Sequence, residues 1–93
     1  MPGGTFRLVI MENPIIEIDV HGLYAEEAIS RIEEAINKAS PAVYRIRVIH
    51  GYNRGNSIKD AIYRELGFGL CPKIKRIVAG DNQGVTELVL KEY

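Results

Sequence analysis

Between residues 15 and 91 the hydrophobic positions change their period four times. Ile15 to Val20 alternates, with Ile16, Ile18 and Val20 on one side and Glu17 and Asp19 on the other, as in a half-buried strand. From Ala25 to about Ala39 the spacing becomes three and four: Ala28, Ile29, Ile32, Ala35, Ile36 and Ala39 form one apolar stripe on a helix. Glu26 and Glu27 fall in its first turn and Lys38 in its last, as the helix dipole favours, and Pro41 ends it. Tyr44 to His50 returns to a period of two, with Tyr44, Ile46 and Val48 opposite Arg45 and Arg47. A polar loop, Gly51 to Asn56, then leads to Ser57, which predicts an N-cap. Ile58, Ala61, Ile62 and Leu66 line a second helix. Lys73–Ala79 and Val85–Lys91 read as two further strands joined by the tight turn Asp81-Asn82-Gln83-Gly84.

The order β-α-β-α-β-β predicts a two-layer α/β sandwich with a mixed sheet. Strands separated by helices pair in parallel, and the last two are antiparallel. Residues 1–14 read as a leader in which Phe6, Leu8 and Ile10 alternate as a short edge strand, and residues 15–93 as the domain itself. A chain of 93 residues suits one domain. Apolar residues at 46% and charged residues at 26% suit a globular protein. No apolar run approaches the roughly 18 residues of a membrane span, so no membrane partner is expected. The early stretch Leu8–Met11 is too short for a secretion signal. Cys71 is the single cysteine, which allows no internal disulfide and suits a reducing, cytoplasmic setting.

Net charge is zero, but the charges are segregated along the chain. Residues 12–42 hold seven acids and two bases, and residues 43–80 hold eight bases and two acids. That asymmetry predicts a basic face on a neutral molecule, including Arg45, Arg47, Arg54 and Lys59.

Both histidines stand where a strand ends and a helix is about to begin. The segments are Asp19-Val20-His21-Gly22 and Ile49-His50-Gly51. Ligands of open α/β sheets bind outside the carboxyl ends of the strands. With the two strands adjacent, His21 and His50 share one rim, each followed by a glycine that lets backbone approach a ligand. The chemistry within reach is phosphodiester cleavage. An imidazole takes or gives a proton near neutral pH, and Asp19 stands where it could orient His21 or hold a metal. The loop Gly51-Tyr52-Asn53-Arg54-Gly55 and the following helix start can offer N–H groups to a phosphate, with Arg54 and Lys59 adding charge. Tyr52 could stack on a base. No Cys/His spacing matches a zinc site, and whether a divalent ion takes part is left open.

Three stretches together resemble one family. They are Ile-Asp-Val-His-Gly-Leu-x-x-Glu-Glu-Ala, then Val-Ile-His-Gly-x-x-x-Gly-x-x-Ile-Lys, then Gly-Val-Thr-x-x-x-Leu, across residues 15–91. In this order and spacing they resemble the Smr (small MutS-related) domain. The resemblance implies an α/β sandwich similar to the C-terminal domain of the third bacterial initiation factor. It implies binding of DNA or RNA, with DNA-nicking or RNA endonuclease activity in several members; the alternative is a non-catalytic module for branched DNA or structured RNA. It places Asp19 and His21 in the box implicated in cleavage, and His50, Gly51 and Gly55 in the second box. Four positions depart from the pattern: Asn53 for the middle loop glycine, Lys59 for Arg, Tyr24 where a capping Thr or Ser is common, and residues 67–72. Oligomeric state is not legible in the chain.

Overall fold

The computed structural model describes residues 14–51, 57–67 and 69–91. Six elements follow the expected order: β1 (Ile15–Asp19), α1 (Ala25–Lys38), β2 (Arg45–Ile49), α2 (Ser57–Leu66), β3 (Arg76–Ala79) and β4 (Val85–Val89). Strand limits are one to three residues tighter than the hydrophobic alternation suggests, and Ser57 is the first helical residue rather than the cap. The alternating stretch at 6–10 lies outside the described residues.

The sheet order is β1-β2-β4-β3. β1 and β2 are parallel, with Ile15 opposite Arg45 and Asp19 opposite Ile49. β4 is inserted between β2 and β3 and runs antiparallel to both. The mixed sheet follows from the connections. Each helix is long enough to carry the chain back for a parallel return, while residues 80–84 only allow a reversal.

Both helices pack on the same sheet face. The core joins Ile32 and Ile36 of α1, Ile58 and Ile62 of α2, and Ile46, Val48 and Leu88 of the sheet. Ile32, Ile46, Ile62, Val48 and Leu88 are completely buried, so truncating any of them to alanine costs about 2–5 kcal/mol. Because side chains alternate, the even-numbered residues of β1, β2 and β4 enter this core. Glu17, Asp19, Arg45, Arg47 and Glu87 therefore take the opposite face. Among the described residues no helix is long and apolar enough to cross a membrane.

Candidate functional site

The rim at the carboxyl ends of β1 and β2 is built by pairing that continues past the strands. Val20 N–H donates to Ile49 O at 2.8 Å, and the N–H groups of His50 and Gly51 both donate to Gly84 O, at 2.8 and 3.0 Å. The chain then turns sharply after β1. Leu23 N–H closes on Val20 O at 3.2 Å, with Gly22 at φ 78°, a conformation that side chains with a Cβ seldom adopt. Leu23 packs against the core, and α1 begins two residues later.

Asp19 fixes His21 twice. Its Oδ1 accepts the His21 backbone N–H at 3.1 Å, forming an Asx turn, and the His21 ring Nδ1–H at 2.5 Å. The two bonds from His21 hold the Asp19 carboxyl below the usual carboxylate range. Both side chains face solvent, His21 69% and Asp19 52% exposed. With Nδ1 donating to the carboxylate, the Nε2 lone pair of His21 is directed away from its orienting partner. Gly51 lies directly against His21: a Cβ on Gly51 would meet the His21 Cβ at 3.4 Å. The two strand ends therefore converge.

His50 occupies the same rim but points inward. It is 5% exposed. Nδ1 lies 2.8 Å from Gly51 O, and Nε2 lies 2.8 Å from Thr86 Oγ1. A carbonyl only accepts, so Nδ1 carries the proton and the Thr86 hydroxyl donates to Nε2. Both ring nitrogens are occupied, and the imidazole braces the backbone of its own loop from behind. The sequence offers His50 as a second proton-transfer group beside His21; the structure does not bring it to solvent. Thr86, which sequence reasoning left without a role, is its anchor. The signal was available, since His50 has the parity of Ile46 and Val48 while His21 has that of Glu17 and Asp19.

Arg45 and Arg47, expected on a nucleic-acid face, are drawn into an ion-pair cluster across the sheet. Arg45 Nη1 reaches Glu87 Oε1 at 2.5 Å, Arg47 Nε reaches Glu87 Oε2 at 3.2 Å, and Arg47 Nη1 lies 3.6 Å from Glu17 Oε2. Burial pushes the Glu87 carboxyl upward, but the two guanidiniums outweigh it and hold the group below its ordinary range. Glu87 in turn raises Arg47 further. Arg45 Nε is buried without a hydrogen-bond partner, so this cluster is not fully satisfied. The charge excess of residues 43–80 is thus partly cancelled by acids from β1 and β4.

Lys59 is half-buried in the first turn of α2. Tyr52, Asn53, Arg54 and Gly55 lie outside the described residues. Among the described residues no three His, Cys, Asp or Glu side chains gather as a metal site, and Asp19 Oδ1 is already taken up by His21. The site is an open rim. Neither Asp19 nor His21 lines the groove of about 340 Å³ between α1 and α2, nor the cleft of about 250 Å³ beside Gly67 and Gly69.

The fold has a known counterpart. The chain is similar to the crystal structure of the Smr domain of Thermus thermophilus MutS2, with a TM-score of 0.72 and 22% sequence identity over 83% of this chain and 99% of that one. This chain has the Smr fold. No protein-family model matches it, and no curated protein matches it. In this Smr-like domain the three stretches that carried the resemblance meet in space. The first His-Gly box supplies the exposed pair, the second supplies Gly51 and the buried His50, and Gly-Val-Thr supplies Gly84 O and Thr86, which hold the second box in place.

Proposed function

We propose that this Smr-like domain binds nucleic acid at the rim formed by β1 and β2 and cleaves a phosphodiester bond there, with His21 as the proton-transfer group. One observation carries the reading: an exposed imidazole whose Nδ1–H is held by a carboxylate at 2.5 Å, with the Gly51 backbone against it. In this reading His21 Nε2 takes the proton of an attacking water, or of a ribose 2′-hydroxyl, as its oxygen bonds to phosphorus. The same imidazole or solvent returns a proton to the departing oxygen. Asp19 selects the tautomer and stabilises the imidazolium as it forms. His50 and Thr86 position the loop without touching substrate. Gly51, the Tyr52–Gly55 segment and Lys59 supply the anion contacts. Arg45 and Arg47, neutralised by Glu87 and Glu17, do not. An open rim suits a polymer better than a small ligand, which is usually enclosed in a pocket.

A binding role without cleavage is favoured by one observation. With His50 buried, the described residues offer His21 as a lone imidazole, with no second exposed histidine to share the proton transfers. The experiment that decides is incubation of the purified protein with supercoiled plasmid and with structured RNA, beside Asp19→Ala and His21→Ala variants. Cleavage by the parent and its loss in both variants is expected. Equal cleavage by all three proteins identifies a contaminating nuclease and rejects the catalytic reading. Retained, salt-sensitive binding with no cleavage by the parent selects the binding module.

A further inference from the structure

We infer that Tyr24 is a stacking platform for an unpaired nucleobase, so that the polymer engaged at Asp19 and His21 is single-stranded where it touches the protein. The inference rests on the nucleic-acid reading above and adds to it the class of strand. Tyr24 is the N-cap residue of α1, with φ −68° and ψ 154°, yet its side chain makes no capping hydrogen bond. It is instead 83% exposed. Serine, threonine, aspartate or asparagine at such a position stabilises a helix by accepting from its free N–H groups. This chain forgoes that contribution and presents a large aromatic ring to water, a local violation of the kind that concentrates at functional sites.

Tyr24 stands close to the candidate chemistry along the chain. His21 lies inside the turn closed by Leu23 and Val20, Tyr24 follows that turn directly, and three residues of chain hold their Cα atoms within about 11 Å of each other. The neighbouring charges decide what the ring can take. Glu26, exposed in the first turn of α1, repels a phosphate from this edge, while Glu27 beside it is paired with Arg31 at 3.5 Å. An uncharged base plane is not repelled. Every base has a face that stacks on tyrosine, and only a base outside a duplex stack can offer it.

The chain contains no tryptophan, so Tyr24→Trp introduces a single indole reporter. Single-stranded oligonucleotides, deoxy and ribo, and duplexes of the same sequence are titrated into that variant, with binding followed in parallel by anisotropy of a label on the oligonucleotide. Quenching of the indole that saturates with binding of the single strands, and is absent with duplex, is expected. A second pair of variants separates recognition from folding. Tyr24→Ser restores a cap and is expected to raise Tm by a few degrees while weakening single-strand binding roughly 10-fold or more; Tyr24→Phe should bind as the parent does. Single-strand binding by the parent that is unchanged in Tyr24→Ser, or an indole quenched equally by duplex, overturns the stacking role alone. Absence of any binding by the parent overturns both this inference and the nucleic-acid reading.

Discussion

At the end of β1, His21 is 69% exposed and tethered to a carboxylate; one strand over, at the end of β2, His50 is 5% exposed and held by a hydroxyl and a carbonyl. The local sequences are nearly the same, a hydrophobic strand running into His-Gly. The difference is one of phase. His21 lies an even number of residues from Glu17 and Asp19, on the side of the sheet away from the helices, and His50 lies an even number from Ile46 and Val48, on the side the helices cover. A repeated motif at two strand ends therefore does not mean a repeated role. One copy is presented to solvent and the other is built into the support of the first, because Gly51, which His50 grips through its carbonyl, lies against the His21 Cβ.

The sharpest way to break this division is to remove each imidazole separately. His21→Ala is expected to lower cleavage by about 100-fold or more, the contribution of a positioned acid–base group. Its Tm should stay within a few degrees of the parent, since surface substitutions usually change stability by no more than about 0.5 kcal/mol. Single-turnover cleavage and thermal unfolding measured on the same preparation check it. If His50→Ala abolishes cleavage at unchanged Tm while His21→Ala does not, the roles are reversed and the assignment is wrong.

His50→Ala should act on stability instead. It leaves a cavity in the core face and strands the Thr86 hydroxyl, for a cost of about 2 kcal/mol and a Tm lower by roughly 10 °C in a domain of this size. Thr86→Val removes only the donor to Nε2 and is expected to cost about 1 kcal/mol. A Thr86→Val protein as stable as the parent in urea would show that the His50–Thr86 bond is not an anchor.

These outcomes bear on what the chain discloses before its fold is known. The elements and their order were legible because each apolar stripe has a single period and each is closed by its own signal, such as Pro41 after α1 and residues 81–84 before β4. The juxtaposition of the two strand ends was legible too, since α1 is long enough to return the chain to a neighbouring parallel position. The fate of the arginines was not. Arg45 and Arg47 belong to a basic stretch of sequence, but their partners Glu17 and Glu87 come from β1 and β4, at sequence distances of 30 to 42 residues. Linear charge segregation is undone by sheet pairing: Glu17 faces Arg47 on one side, and Glu87 faces it on the other. The burial of His50 was legible in principle from its parity, and the attraction of two matching His-Gly boxes hides it.

Gly51 links the two halves of the comparison, and a smaller effect is expected there. It sits at φ 72°, where an alanine is strained by about 1 kcal/mol, and the added methyl would press on the His21 Cβ at 3.4 Å. Gly51→Ala should therefore lose a few degrees of Tm and displace His21 as well, so that cleavage falls more than the stability loss explains. A variant whose cleavage is unaffected at temperatures where it is fully folded would show that the β2 end does not position the β1 end.

The smallest effect concerns Asp19, and its sign follows from the hydrogen bonds. Oδ1 accepts two bonds from His21, which favour the ionised carboxylate in the folded state, so the folded Asp19 titrates below its ordinary value of 3.8. A carboxyl lowered on folding stabilises the protein above its unfolded titration point, and that contribution is lost as pH falls through the lowered folded value. Comparing the parent with Asp19→Asn isolates this contribution. The parent is expected to be slightly more stable at neutral pH, with the gap closing as pH falls through the lowered Asp19 value. The gap is small because both partners are exposed and water screens them. No gap at neutral pH would mean that Asp19 acts through its shape in the Asx turn, which asparagine shares, and not through its charge. His21 would then lack the electrostatic partner that distinguishes it from any other surface histidine.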